Sequence, residues 1–181
     1  MNIKNLLFLA LVGLIAVGCK KSDDILDSLT HFTYEPTYVV DVPATPLASL
    51  PVDFLTPDIS TQSDIEYSAN NTRADLVRHI DLSQLDLTVV SPSGGTLSFL
   101  KSINIYAKAE GLQEVKVAFK DQVPDDVGVT LILDVTGVDL TEYFKKDTYQ
   151  LRISVVTDEA VKEDYKVNAH AKFEIEAKKI N

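Results

Sequence analysis

Tyr165 to Ala177 reads YKVNAHAKFEIEA, and its order decides the fold class. Tyr165, Val167, Ala169, Ala171, Phe173, Ile175 and Ala177 fall on one side, with Lys166, Asn168, His170, Lys172, Glu174 and Glu176 on the other. Side chains alternate across a strand, so this is a long strand with one packed face and one wet face. A helix would instead place the apolar residues three or four apart.

The same period recurs in Leu85, Leu87 and Val89, in Ile103, Ile105, Ala107 and Ala109, and in Val115, Val117 and Phe119. It returns in Val129, Leu131, Leu133 and Val135, and in Leu151, Ile153 and Val155. Turn residues separate these runs: Pro92, Ser93, Gly94 and Gly95; Glu110 and Gly111; Pro124, Asp125 and Asp126; Gly137. Short strands joined by hairpin-type turns predict an all-β fold, an antiparallel β-sandwich of immunoglobulin-like or jelly-roll-like type with one or two short helices. A further strand is expected over Thr33–Val42. Residues 43–71 are rich in Pro, Ser, Thr and Asn and read as loop, with a broken or edge strand around Val52–Ile59.

Asp139, Leu140, Thr141 and Glu142 have capping-box spacing, and Lys145 and Lys146 suit a helix C-terminus, so a short helix is expected there. Its Leu140, Tyr143 and Phe144 would plug one end of the sandwich. Thr72–Arg78 is a second, weaker helix candidate, with Thr72 as N-cap.

The N-terminus has a different character. Lys4 precedes an uncharged run from Leu6 to Val17, then Gly18 and Cys19. A basic start and a short apolar run make a secretory signal, below the roughly 20 residues of a membrane-spanning helix. Ile15, Ala16, Val17, Gly18 and Cys19 resemble the bacterial lipobox, which implies cleavage between Gly18 and Cys19 and lipidation of Cys19. The expected organisation is a cleaved signal peptide over 1–18, a lipid-anchored tether over 19–31 and a single β-sandwich domain over 32–181. Two acyl chains on one cysteine suffice for stable anchoring.

Lys21, Ser22, Asp23 and Asp24, just after Cys19, resemble the export signal of surface lipoproteins in the Bacteroidota, which implies the outer membrane and its exterior face. Their plainer reading, which carries less weight, is a solvated charged tether. Asp27, Ser28 and Leu29 resemble the O-glycosylation pattern of the same bacteria and make Ser28 a candidate acceptor. More broadly, the run Leu85–Ser93, the residues Leu97–Tyr106 and the group Asp139, Leu140 and Tyr143 resemble an uncharacterised family of β-sandwich lipoproteins from that phylum. The resemblance implies fold and location and brings no activity.

The composition narrows the chemistry. The chain of 181 residues carries 27 acidic and 17 basic side chains, a net charge of −10. Loss of the leader, with Lys4 and no acid, makes it one unit more negative. Such a surface repels phosphate, so no nucleic acid is expected as partner. One cysteine excludes a disulfide and thiolate-rich zinc sites. Ser93, Gly94 and Gly95 lack the spacing of a nucleophile elbow and read as a hairpin turn. His31, His79 and His170 are far apart, and the first and last read as solvated. Asp121, Asp125 and Asp126 lack the spacing of a calcium loop. No catalytic residue, metal or cofactor is expected.

Two binding roles remain beside membrane attachment. One is a non-enzymatic surface module for a protein partner or for envelope structure. The other is a glycan-binding accessory lipoprotein of a nutrient-uptake system, with Tyr106 on the face opposite Ile105 and Ala107 as the candidate ligand residue. An enzyme would require two acids, or an acid and a histidine, converging in a cleft.

Overall fold

The computed structural model describes residues 29–46 and 50–180. Its strands form two antiparallel sheets packed on a common core, the β-sandwich the alternation predicts. The expected signal peptide, and Gly18, Cys19, Lys21, Ser22, Asp23, Asp24 and Ser28, lie outside the described residues.

The alternating stretch becomes the spine of the first sheet, as β11 (Tyr165–Lys178), with Val167, Ala169, Ala171, Phe173, Ile175 and Ala177 buried. One edge of β11 pairs along its length with β5 (Val77–Ser91), and β8 (Thr130–Ile132) adds beyond β5. The other edge pairs first with β1 (Leu29–Tyr34) and then with β2 (Thr37–Val42). The single strand expected over Thr33–Val42 thus includes Leu29, Thr30 and His31, which had been assigned to the tether, and is interrupted at Glu35–Pro36. Pro36 has no N–H to give. Its carbonyl still accepts from the Ala171 N–H at 3.0 Å, and the register carries across from Tyr34 opposite Phe173 to Thr37 opposite His170.

Strand β5 buries Ile80 and Leu82, then Leu85, Leu87 and Val89, so its inward residues change phase midway. A bulge at Ser83, between the pairs Leu82–Phe173 and Gln84–Lys172, absorbs that change, and the Ser83 hydroxyl donates to the Lys172 carbonyl at 3.1 Å.

The second sheet is built on β10 (Thr148–Thr157). The expected broken edge strand appears on one side of it as β3 (Val52–Leu55) and β4 (Ile59–Ser60). On the other side follow β6 (Leu100–Lys108), β7 (Val115–Lys120) and β9 (Asp134–Val135).

Two sequence expectations are corrected here. Val115, Val117 and Phe119 do not share a face: a register shift in the β6–β7 pairing buries both Val117 and Ala118 and leaves Phe119 only half-buried. Val129–Val135 is not one strand. The chain passes from the first sheet to the second at buried Leu133, whose N–H donates to the Leu85 carbonyl at 3.0 Å. The β8–β9 connection therefore closes one side of the sandwich.

The Pro92–Gly95 turn joins β5 to β6, which lie in different sheets, so it is a corner and not a hairpin. Gly94 adopts φ +78°, and a Cβ on Gly95 would sit 3.0 Å from the Pro92 carbonyl oxygen and the Tyr165 ring.

Helix α1 (Ser63–Ala69) falls in the stretch read as loop. Its one buried side chain is Tyr67, too few to give a periodic signal. The helix expected over Thr72–Arg78 shrinks to a 3-10 turn, Ala74–Leu76, because Val77 already belongs to β5. Thr72 caps nothing: its hydroxyl donates to the Lys178 carbonyl at 2.6 Å. Helix α2 (Thr141–Phe144) forms where expected, and Leu140, Tyr143 and Phe144 are buried. Asp139 accepts from the Thr141 N–H at 2.9 Å, while Glu142 pairs with Lys145 at 2.6 Å instead of folding back to close the box.

Candidate functional site

With one side closed by β8–β9, the opposite side is framed by β2 from the first sheet and by β3 and β4 from the second. Inward residues near the closed side, among them Leu85, Leu87, Ile103 and Ile105, are buried. Those near the framed side are not: Tyr38, Val40, Val52, Phe54, Leu151 and Ile153 face inward yet are only half-buried. They line a cavity of about 450 Å³ between the sheets. Sheets in a sandwich lie about 10 Å apart, and facing side chains must fill that gap. Here β11 contributes Val167, Ala169, Ala171 and Phe173 to the lining, and the methyl groups of Ala169 and Ala171 between the two larger side chains span little of the gap.

Polar groups in the lining are few. The hydroxyls of Tyr38 and Tyr149 lie 2.6 Å apart and share a hydrogen bond. Burial pushes the Tyr149 phenol well above its ordinary pKa and raises that of Tyr38, so both are neutral donors and acceptors. Beyond them, one end of the cavity is aromatic. The Phe144 ring is 4.8 Å from Phe173 and 5.9 Å from Tyr149, centroid to centroid. Thr45, Thr56 and Asp58 add polar residues to the lining, while Thr37 and Asp41 of β2 carry their side chains on its exposed face. The chemistry on offer is burial of an apolar body with a hydroxyl pair among its walls.

The outer face of the second sheet carries Tyr106. It is half-buried, and the Arg152 guanidinium lies 4.0 Å from its ring centroid. Arg152 is held in turn by Glu114, with Nη2 at 2.6 Å and Nε at 3.1 Å, and by Asp53 at 3.3 Å. The Arg152 hydrogen bonds hold the Glu114 carboxyl below its ordinary range against the opposing effect of burial. Lys116 sits 5.8 Å from the Tyr106 ring and 5.5 Å from that of Phe119. Cation–π contacts thus occupy the aromatic surface offered as a glycan platform.

The histidines are not brought together. His31 pairs in register with Glu176, and His170 lies 4.0 Å from Glu35. His79, for which the sequence suggests no partner, sits between Asp81 at 3.3 Å and Asp139 at 3.5 Å. For Asp139 the upward push of burial is outweighed by hydrogen bonds from Thr141 and by His79, and its pKa is lowered. Among the described residues no group of three or more His, Cys, Asp or Glu is placed to hold a metal ion, and Asp121, Asp125 and Asp126 are all exposed. No helix among them is long and apolar enough to cross a membrane.

The cavity was missed by sequence reading. Its one written signal is the pair Ala169 and Ala171 in a strand whose other inward residues are mostly larger.

No protein-family model and no curated protein matches the sequence. Among solved structures, similarity is found to turnip yellow mosaic virus at 10% identity and TM-score 0.28, covering 84% of this chain and 98% of that one. Tomato aspermy virus aligns at 12% identity and TM-score 0.29, covering 99% and 94%. Desmodium yellow mottle tymovirus aligns at 12% and 0.25, covering 82% and 90%. Likenesses this distant carry no argument about function.

Proposed function

We propose that this chain is a lipid-anchored cell-envelope protein whose β-sandwich works by binding and not by catalysis. The observation that carries the binding half is the inter-sheet cavity. Its walls offer apolar surface and a mutually bonded tyrosine pair, which suits retention of a molecule and not its cleavage. The anchoring half rests on the leader and on Cys19 as the lipidated residue. Strand β1 begins at Leu29, ten positions after Cys19. Ten residues span at most about 35 Å, so the domain stands close to the bilayer that holds the lipid. Lys21, Ser22, Asp23 and Asp24 support display on the exterior face of the outer membrane, where a protein partner or an envelope component would be met.

Glycan binding through Tyr106 is the weaker reading, because Arg152 covers that ring.

Replacing Cys19 with Ala tests the anchor. The substituted protein is expected to leave the membrane fraction, and one that remains there defeats the lipoprotein reading. Display is tested separately by adding protease to intact cells. Digestion of the domain is expected, and protection assigns it to the periplasmic side.

A further inference from the structure

We propose that the inter-sheet cavity is a binding site for a single hydrocarbon chain bearing an uncharged oxygen group, admitted between β2 and the β3–β4 edge. The inference deepens the binding half of the reading above and does not depend on the anchor.

Volume sets the size of the ligand. An apolar cavity of about 150 Å³ accepts one benzene ring, so the 450 Å³ here corresponds on that scale to roughly eighteen carbon atoms. That is one long chain and not two. Internal space lowers stability in proportion to its volume. Leucine or valine at Ala169 and Ala171 would fill part of it at no evident cost to the strand, yet the chain keeps methyl groups there, and Leu151, Ile153 and Val155 reach toward them only half-buried.

The lining sets the chemistry of the ligand's body. Phe54, Leu151, Ile153, Val155 and Phe173 offer carbon, and the aromatic group around Phe144 closes one end. The two tyrosine hydroxyls share one hydrogen bond, which uses one of their two O–H donors. The second can meet an alcohol, ester or un-ionised acid oxygen.

The entry sets the charge. Asp58 is among the residues bounding the cavity, whose described lining contains no Lys or Arg, in a chain of net charge −10; Asp41, also at the rim, lies on the outward face of β2 and is paired with Lys166 at 3.5 Å. A carboxylate or phosphate head would be repelled. Val39 and Leu55, on the outward faces of the two edge strands that frame the opening, are 60% and 54% exposed. An apolar approach to the mouth is therefore already provided on both sides.

The test is titration of the full-length protein with the uncharged dye N-phenyl-1-naphthylamine, whose emission rises in apolar surroundings, followed by displacement with hexadecanol. One dye per chain, displaced by hexadecanol and far less readily by hexadecanoate, is the expected result. Ile153→Trp fills the cavity from β10 and should weaken dye binding about tenfold or more. Ser154→Trp, one residue on and facing outward, should leave it unchanged. Val155→Phe is a milder filling that should weaken binding several-fold if Ile153→Trp fails to fold. Failure of both the folded parent protein and Cys19→Ala to take up dye overturns the inference, as does binding indifferent to both filling variants or lost equally in Ser154→Trp. Comparing the lipidated protein with Cys19→Ala separates the sources of the chain. Uptake by both marks a free ligand, and uptake by Cys19→Ala alone marks the protein's own acyl group. Loss of the cavity claim leaves the fractionation result at Cys19 standing, so the two readings fail separately.

Discussion

Removing the Tyr38 hydroxyl is expected to destabilise the domain more than removing that of Tyr149, although each breaks the same 2.6 Å hydrogen bond. Tyr149 is 6% exposed and Tyr38 is half-buried on an edge strand. In Tyr38→Phe, the Tyr149 hydroxyl is left among Phe144, Phe173 and the aliphatic walls, and stranding a buried hydroxyl costs about 1–3 kcal/mol. In Tyr149→Phe, the hydroxyl left behind belongs to the less buried of the two rings, on an edge strand, so the cost is expected nearer the net value of the bond, about 0.5–1.5 kcal/mol. With both replaced by Phe, the shape persists and no polar group is stranded, so the double variant should lie near the parent. The coupling is then about 1.5–4.5 kcal/mol, well above the few tenths expected of independent sites. Urea unfolding followed by circular dichroism reads these differences as midpoint shifts at constant slope. If Tyr38→Phe costs no more than Tyr149→Phe, or the double variant equals the sum of the singles, the reasoning is refuted. The Tyr149 hydroxyl would then have water as a partner, and the cavity could not be the apolar site inferred for it.

The same pair sets the alkaline limit. Burial raises the phenols of Tyr38 and Tyr149 and pushes that of Tyr67 up to about 12, so the fold favours their protonated forms. Their contribution is complete below pH 10 and declines as pH rises beyond it; a urea midpoint that stays level there contradicts this. At the acid end the sign reverses. Glu114, held down by its Arg152 hydrogen bonds, and Asp139, held down by Thr141 and His79 against burial, stabilise the fold above the ordinary carboxylate range. That contribution is lost as pH falls through their lowered values, and Glu114→Gln should flatten the acid limb of the profile. Ala169→Val should raise the thermal midpoint, because it fills space at about 0.8 kcal/mol per methylene. In a fully packed core the same change would cost about 1–3 kcal/mol, so a lowered midpoint would deny the cavity.

The sandwich could be read from β11 because every inward residue from Val167 to Ala177 obeys one period and both neighbours pair along it. Reading failed where the period breaks for reasons that lie elsewhere in the chain. Ser83 looks like one polar residue between two runs, and only its partner Lys172 makes it a bulge. Val117 and Ala118 are both buried because β6 slips against β7, which a single strand cannot announce. Leu131, Leu133 and Val135 keep perfect alternation while the chain changes sheets, since alternation records facing and not pairing. The short helix α2 was legible because its signals are local: a capping aspartate at Asp139 and three apolar plugs. Arg152 over Tyr106 was not, since it joins residues on neighbouring strands whose register follows from the whole sheet.

The change of sheets at Leu133 and the cavity are connected. The passage at Leu133 seals one side of the sandwich by carrying the chain directly from β8 in the first sheet to β9 in the second, and Leu85, Leu87, Ile103 and Ile105 close over it. Nothing equivalent joins the described parts of β2 and β3, which face each other as two separate edges. An edge strand offers unpaired backbone groups, and proteins protect such edges with proline, charge or short length. All three devices are present here: Pro36 and Pro57 beside the edge strands, Asp41, Asp53 and Asp58 along them, and β3 and β4 of four and two residues. Such an edge resists pairing with another strand while the interior behind it stays reachable. Asp41 and Asp53 are held by Lys166 and Arg152, so it is Asp58, in a described lining without Lys or Arg, that both discourages pairing at the mouth and disfavours the entry of an anionic head.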